Sequence, residues 1–146
     1  MLDVGCGIGD RSGTVGTDIN SRAVAWCRDN GYRAELMMLD TLPFKIAVFD
    51  GVVLDSVLEH IVSLEPLLAE VRRVLRPGAR VMIGVPGSKG YASDPDHKVF
   101  YDKALLVAVM AAEEFTVEEL LPMPLKSSLL DAHMRQYCLY GVFQRD

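Results

Sequence analysis

Leu2-Asp3-Val4-Gly5-Cys6-Gly7-Ile8-Gly9 decides the reading of this chain. A short apolar run ends in glycines on alternate positions, Gly5, Gly7 and Gly9. That pattern is a buried strand breaking into a loop whose backbone must come very close to something. Glycine lacks a Cβ, so it takes φ > 0 readily and leaves peptide N–H groups bare for a ligand. Thirteen residues after Gly5 stands Asp18, at the end of a second apolar run, Thr14-Val15-Gly16-Thr17. In nucleotide-binding α/β folds, an acid at the tip of the second strand accepts hydrogen bonds from ribose hydroxyls. Loop and acid together suggest a site for a nucleoside carrying a polar tail. A glycine-rich turn after a strand is also found as a tight turn and nothing more. The succession of elements beyond residue 18 decides between the two.

Residues 1–5 and 14–18 read as the first two strands. Asn20 or Ser21 can cap a helix that runs to Asn30, with Gly31 as its stop. Ala23, Val24 and Cys27 share a face of it, and Trp26 lies off that stripe. Tyr32 to Met37 reads as strand three. Leu42-Pro43-Phe44 is a loop, because proline and the residue before it both resist the helix. Val48 to Leu54 is an apolar run broken only by Asp50-Gly51, as expected of a strand covered on both faces. From Leu64, apolar residues recur at Leu67, Leu68, Val71, Val74 and Leu75, so residues 65–75 form a helix. Arg76-Pro77-Gly78 ends it. Residues 80–85 read as strand five, 87–101 as a long loop, 102–113 as a helix, and 115–121 and 136–143 as strands. Strands alternating with helices give a parallel α/β sheet with a hairpin-like end.

Composition sets outer bounds. The chain has 146 residues, 50% hydrophobic and 24% charged, which is enough for one domain over residues 1–146 with a proper core. No apolar run approaches the ~18 residues of a membrane span. No basic region precedes an apolar leader, so no signal peptide is expected. Cys6, Cys27 and Cys138 are widely spaced without a CxxC pair, which speaks against a disulfide framework or zinc site and fits a reducing cytoplasm. A net charge of −5 argues against nucleic acid as the main partner.

Five landmarks stand in order: Leu2 to Gly9, Val15 to Ile19, Leu42-Pro43-Phe44, Phe49 to His60, and Val71 to Gly78. In that order and spacing they resemble the class I S-adenosylmethionine-dependent methyltransferases, closely over residues 1 to about 86 and loosely beyond. The resemblance implies a Rossmann-like, doubly wound α/β fold with seven strands, mostly parallel, the last antiparallel. It also implies roles. The loop of Gly5, Cys6, Gly7 and Gly9 would cradle the methionine end of S-adenosylmethionine, with Asp3 holding the loop or the amino group. Asp18 would take the ribose hydroxyls, and Ile19 would lie against the adenine. Leu54 and Asp55, at the end of strand four, would border the methionine moiety and the methyl group. S-adenosylhomocysteine would be the product.

There are two departures from that family. Its usual acid before the Leu-Pro-Phe loop is Met38 here, with Asp40 at the following acidic position, so adenine contact falls to the backbone of Leu39 or Asp40. Only eight residues, Cys6 to Gly13, link strands one and two. Retracing a short strand of roughly 16 Å is within reach of eight residues at about 3.3 Å each. The usual first helix, however, has no room. Asp94-Pro95-Asp96-His97 resembles a D-P-x-H pattern found after strand five in methyltransferase-like proteins with this short link.

The remaining candidates have competing readings. A dinucleotide fingerprint needs glycine where Asp10 stands, which weakens an NAD-type oxidoreductase. Cys6 has no neighbouring His to activate it and reads as a small side chain in a tight loop. His60 reads as a structural hydrogen-bonding residue rather than a base. His97 is the candidate general base, with Asp55 the runner-up; loop solvation is the plainer reading of His97. A metal at His97 needs further ligands, and none is near in sequence, so no metal is expected. His133 has no context. The expected reaction is in-line methyl transfer to a small-molecule acceptor. The competing class is a non-catalytic binding module or subunit. Because one sheet face has only the helix after strand two, Val4, Val15 and their neighbours are expected as an exposed patch covered in a homodimer.

Overall fold

The structure is a computed structural model and describes residues 1–9, 13–124, 134 and 136–146. His133 and most of the link before the last strand lie outside the described residues. The elements are β1 (Leu2–Val4), β2 (Val15–Asp18), α1 (Ser21–Asp29), β3 (Ala34–Leu36) and β4 (Phe49–Asp55). A 3-10 turn (Leu58–His60) and α2 (Glu65–Val74) come next, then β5 (Leu75–Pro86), α3 (Ser88–Ala92), α4 (Lys103–Ala112), β6 (Phe115–Met123) and β7 (Cys138–Arg145).

These form one seven-stranded sheet in the order β3-β2-β1-β4-β5-β7-β6. The pairings among β1 to β5 are parallel, and β7 runs antiparallel to both β5 and β6. The expected doubly wound fold and antiparallel last strand are both present. No helix occurs among the described residues between β1 and β2, as the short link requires.

Local chemistry sets the ends of α1. Asn20 accepts hydrogen bonds from the Arg22 and Ala23 N–H groups at its start, and Gly31 sits at φ +83° just past its end. Its Trp26 stacks on Tyr32. α2 buries Leu67, Leu68, Val71 and Val74 against the sheet, each worth about 1.5–3 kcal/mol relative to exposure. Arg73 ties the preceding loop to α2. Its guanidinium donates to Glu70 and to the carbonyls of Phe44 and Leu42.

Three expectations need correction. Strand three is shorter than residues 32–37, because Tyr32, Arg33 and Met37 lie outside the ladder. β5 begins at Leu75, so Arg76-Pro77-Gly78 lies inside the strand where its register against β4 shifts, between Phe49 and Gly51. The loop of residues 87–101 holds the short helix α3.

The pleat overturns the expected apolar patch. Leu2, Val4, Val52 and Leu54 face the main core with α2, and Val4 is 1% exposed. Alternation along β1 sends Asp3 to the other face. Val53, beside it, is also buried. α1, with its small cluster of Val24, Cys27 and Ala34, covers one edge of that second face.

Candidate functional site

A cavity of about 630 Å³ opens over the C-terminal ends of β1, β2 and β4. That is where open α/β sheets bind ligands. Gly5, Asp18, Ile19 and Leu39 line it at one end, and Ser56, Val57, His60 and Asp96 at the other. The apolar side chains of Ile19 and Leu39 are more than half exposed, as befits the rim of a slot for a flat ring.

Backbone chemistry fixes the glycine loop. The Gly5 and Cys6 N–H groups both donate to the Thr17 carbonyl, at 2.8 and 3.0 Å. The Gly7 N–H donates to Oδ2 of Asp18 at 2.8 Å, and the Gly9 N–H to the Cys6 carbonyl at 2.9 Å. The expectation of bare N–H groups is therefore corrected: four of them are engaged by the protein's own acceptors. What glycine supplies here is room. Gly5 sits at φ +71°, and a Cβ on it would come 2.6 Å from Cγ2 of Val57. Oδ1 of Asp18 accepts from the Asn20 N–H at 2.8 Å, so this carboxylate joins the glycine loop to the start of α1.

A second cavity of about 310 Å³ lies on the other face of the loop, lined by Asp3, Cys6, Gly9, Gly16 and Cys27 among others. Asp3 is buried there. Burial pushes the Cys6 thiol up to about 12, and the charges of Asp18 and Asp3 add to the effect. A thiol held neutral is a poor nucleophile, in line with the reading of Cys6 as a small packing residue.

The comparisons bear on this geometry. Residues 2–83 match the family model described as a methyltransferase domain. An uncharacterised 37.1 kDa transposon protein of Streptomyces fradiae is 34% identical, over 67% of this chain and 33% of its own length. The 27-O-demethylrifamycin SV methyltransferase of Amycolatopsis mediterranei is 29% identical, over 79% of this chain and 50% of its own. The chain thus spans about a third to a half of these relatives. Among solved structures, an S-adenosylmethionine-dependent methyltransferase from Methanosarcina mazei superposes with a TM-score of 0.77 at 20% identity, covering 99% of this chain and 91% of that one. One from Mesorhizobium loti gives 0.74 at 16%, covering 99% and 90%. The chain belongs to the class I S-adenosylmethionine-dependent methyltransferase family.

Gly5, Asp18, Ile19 and Leu39, all expected at the cofactor site, line the larger cavity. Others stand apart from the larger cavity. Leu54 is fully buried in the core, so it cannot border a ligand there; Ser56 and Val57 line that stretch instead. Asp55 turns to the opposite face, where the Tyr140 hydroxyl donates to it at 3.2 Å. Cys6 and Gly9 line the second cavity. Asp40 is exposed and accepts from its neighbour Thr41.

His97 is largely shielded, with its ring 4.8 Å from that of His60, which lines the cavity itself. Sequence reading sets His60 aside as structural. Its place at the end of the Phe49–His60 landmark, just past β4, is the available signal. Ser56 has no such signal. It takes φ +58° and donates its N–H to the Gly84 carbonyl at 3.0 Å, which turns the chain out of β4 toward the cavity.

Proposed function

We propose that this chain, as one domain over residues 1–146, binds S-adenosylmethionine in the larger cavity and transfers its methyl group to a small-molecule acceptor. The observation that carries the reading is the cavity wall itself: a Cβ-free backbone at Gly5, an acid at Asp18 and apolar rims at Ile19 and Leu39 along one slot. These groups fit a nucleoside joined to an amino-acid tail. Asp18 would accept from the ribose hydroxyls with the lone pairs that Gly7 and Asn20 leave over. Ile19 would lie against the adenine, with the Leu39 or Asp40 backbone at its edge. Gly5 and the loop through Gly9 would hold the methionine end, with Asp3 stiffening the loop from beneath.

When bound, S-adenosylmethionine supplies an electrophilic methyl group. The protein's part is alignment and removal of water. A general base is needed only where the acceptor keeps its proton at neutral pH. His97, its ring 4.8 Å from that of His60 on the cavity wall, would fill that role. Asp55 would act from the far face of β4, by fixing the strand end.

A second reading, a methyltransferase-like binding module without turnover, is favoured by the four loop N–H groups already engaged within the protein. Calorimetry with S-adenosylmethionine, S-adenosylhomocysteine and NADH, followed by turnover on a panel of small acceptors, tests both. Binding of the first two but not NADH, with methylated product, supports the enzyme. Binding without product supports the module, and no binding sinks both. Cys6, Cys27 and Cys138 are free thiols, which supports a reducing cytoplasmic setting. The half-buried Met82 and Val142, paired on the second sheet face, support a homodimer.

A further inference from the structure

At the acceptor end of the cavity, the turn Leu58–His60 and the segment after α3 bring three ligating side chains together. One donor atom from each of Glu59, His60 and His97 lies within 4.8 Å of the other two. The turn splits its neighbours: Glu59 goes inward at 1% exposed, and His60 faces the cavity. The Glu59 carbonyl accepts from the Lys98 and Val99 N–H groups at 2.6 and 3.2 Å, which holds the His97 segment against the turn.

Two features set this cluster apart from a solvated loop. Both carboxylate oxygens of Glu59 are buried without a hydrogen-bond donor among the described residues. Nε2 of His97 is 3.9 Å from Oε1, beyond hydrogen-bond reach. A buried carboxylate left so is costly unless a proton, a water or a cation completes it, and the imidazoles beside it point to the cation. The second feature is the tautomers. Nδ1 of His97 lies 2.9 Å from the Tyr91 carbonyl, and Nδ1 of His60 lies 3.4 Å from the Asp96 carbonyl. A carbonyl only accepts, so in the neutral rings both Nδ1 atoms carry the proton and leave both Nε2 lone pairs for a ligand. Imidazoles that ligate metals are oriented in this way. Asp94 adds Oδ2 at 3.8 Å from Nε2 of His97.

We propose that Glu59, His60 and His97 bind one divalent transition-metal ion, with Asp94 beside it and open positions facing the cavity. Two imidazoles and one carboxylate suit zinc, iron(II) or cobalt rather than magnesium or calcium, which prefer oxygen ligands alone. Metal–ligand bonds of about 2.0–2.2 Å require the three donors to draw together, and the exposed His60 ring has room to shift about its long 3.4 Å contact with the Asp96 carbonyl.

The site's use in catalysis rests on the larger cavity holding S-adenosylmethionine. It selects acceptors with an ionisable hydroxyl. With the ion bound His97 serves as a ligand and not as the general base, and the hydroxyl would release its proton to solvent as its oxygen takes an open position on the ion. That oxygen's electron pair then forms the bond to the methyl carbon, while the sulfur keeps the pair from the bond that breaks.

The test uses tag-free, chelator-treated protein titrated with cobalt(II), followed by visible absorption, and with zinc, followed by calorimetry. One equivalent of cobalt giving intense low-symmetry bands is expected. Glu59→Gln and His60→Ala should each weaken zinc binding by more than the about 10- to 100-fold typical of losing a supporting partner. His60 is exposed, so its variant keeps the test valid even where Glu59→Gln fails to fold. Absence of stoichiometric binding, or wild-type affinity in His60→Ala, overturns the proposal. S-adenosylhomocysteine binding to the metal-free protein is measured alongside, so failure of the metal site and failure of the cofactor reading are told apart.

Discussion

The Tyr140 hydroxyl donates to Oδ1 of Asp55 at 3.2 Å, across a notch that only glycine at position 84 leaves open. A Cβ on Gly84 would lie 2.4 Å from that oxygen and 2.5 Å from Cε1 of Tyr140. The three residues stand side by side on β4, β5 and β7, so this contact joins the parallel part of the sheet to its antiparallel end. Tyr140→Phe should lower stability by about 0.5–1.5 kcal/mol, read from urea midpoints. Gly84→Ala should cost more, because it displaces both partners. Equal stability of Gly84→Ala and wild type would mean that the notch is not shaped by this pair.

Asp18 is the residue on which cofactor affinity should depend most. Asp18→Ala removes a charge-assisted acceptor worth about 1.5–3 kcal/mol, or roughly 10- to 150-fold in affinity for S-adenosylhomocysteine by calorimetry. It also frees the Gly7 and Asn20 N–H groups. Unchanged affinity would take Asp18 out of the site.

Much of the fold is legible in the chain. The alternation of strand and helix, the Asn20 cap and the 3.6-residue period of α2 are local properties, and they give the sheet its content and its antiparallel end. What stays hidden is two-fold or non-local. A strand's period of two does not say which side meets the core, so Val4 is expected on the open face, while register and cover put Asp3 there. The same ambiguity sends Asp55 away from the cavity. Glu59 and His97 are far apart in sequence, and the backbone bonds from Lys98 and Val99 that join them have no sequence signature.

The Arg73–Glu70 pair gives a pH dependence with a definite sign. The Arg73 hydrogen bonds hold the Glu70 carboxyl below its usual 4.5. A depressed folded value means stability present above the unfolded value and lost as pH falls through the folded one. Both side chains are partly exposed, so the contribution is about 1 kcal/mol after screening. Glu70→Gln should lose that amount at neutral pH and flatten the stability difference between about pH 7 and pH 3. An unchanged pH profile would show that the loop of residues 42–44 is held by packing alone.

Self-association is the expected consequence of the apolar surface left part-exposed at Met82 and Val142. Light scattering at micromolar concentration should give twice the monomer mass. A clean monomer that binds no apolar dye would show the second face to be adequately covered within one chain.

Gly5→Ala tests the loop and the turn together. The substitution meets Val57 at 2.6 Å and carries a side chain at φ +71°. The left-handed backbone alone costs about 1–2 kcal/mol. Val57 leads directly into the turn that carries Glu59 and His60, so pushing it outward disturbs both ends of the cavity. S-adenosylhomocysteine affinity should fall sharply in Gly5→Ala, and the melting temperature with it. The double variant Gly5→Ala, Val57→Ala removes the clash and keeps the backbone strain. It should recover part of the affinity and less of the stability. Affinity in the double variant no better than in Gly5→Ala would assign the whole effect to backbone strain and leave Val57 without a part in shaping the site.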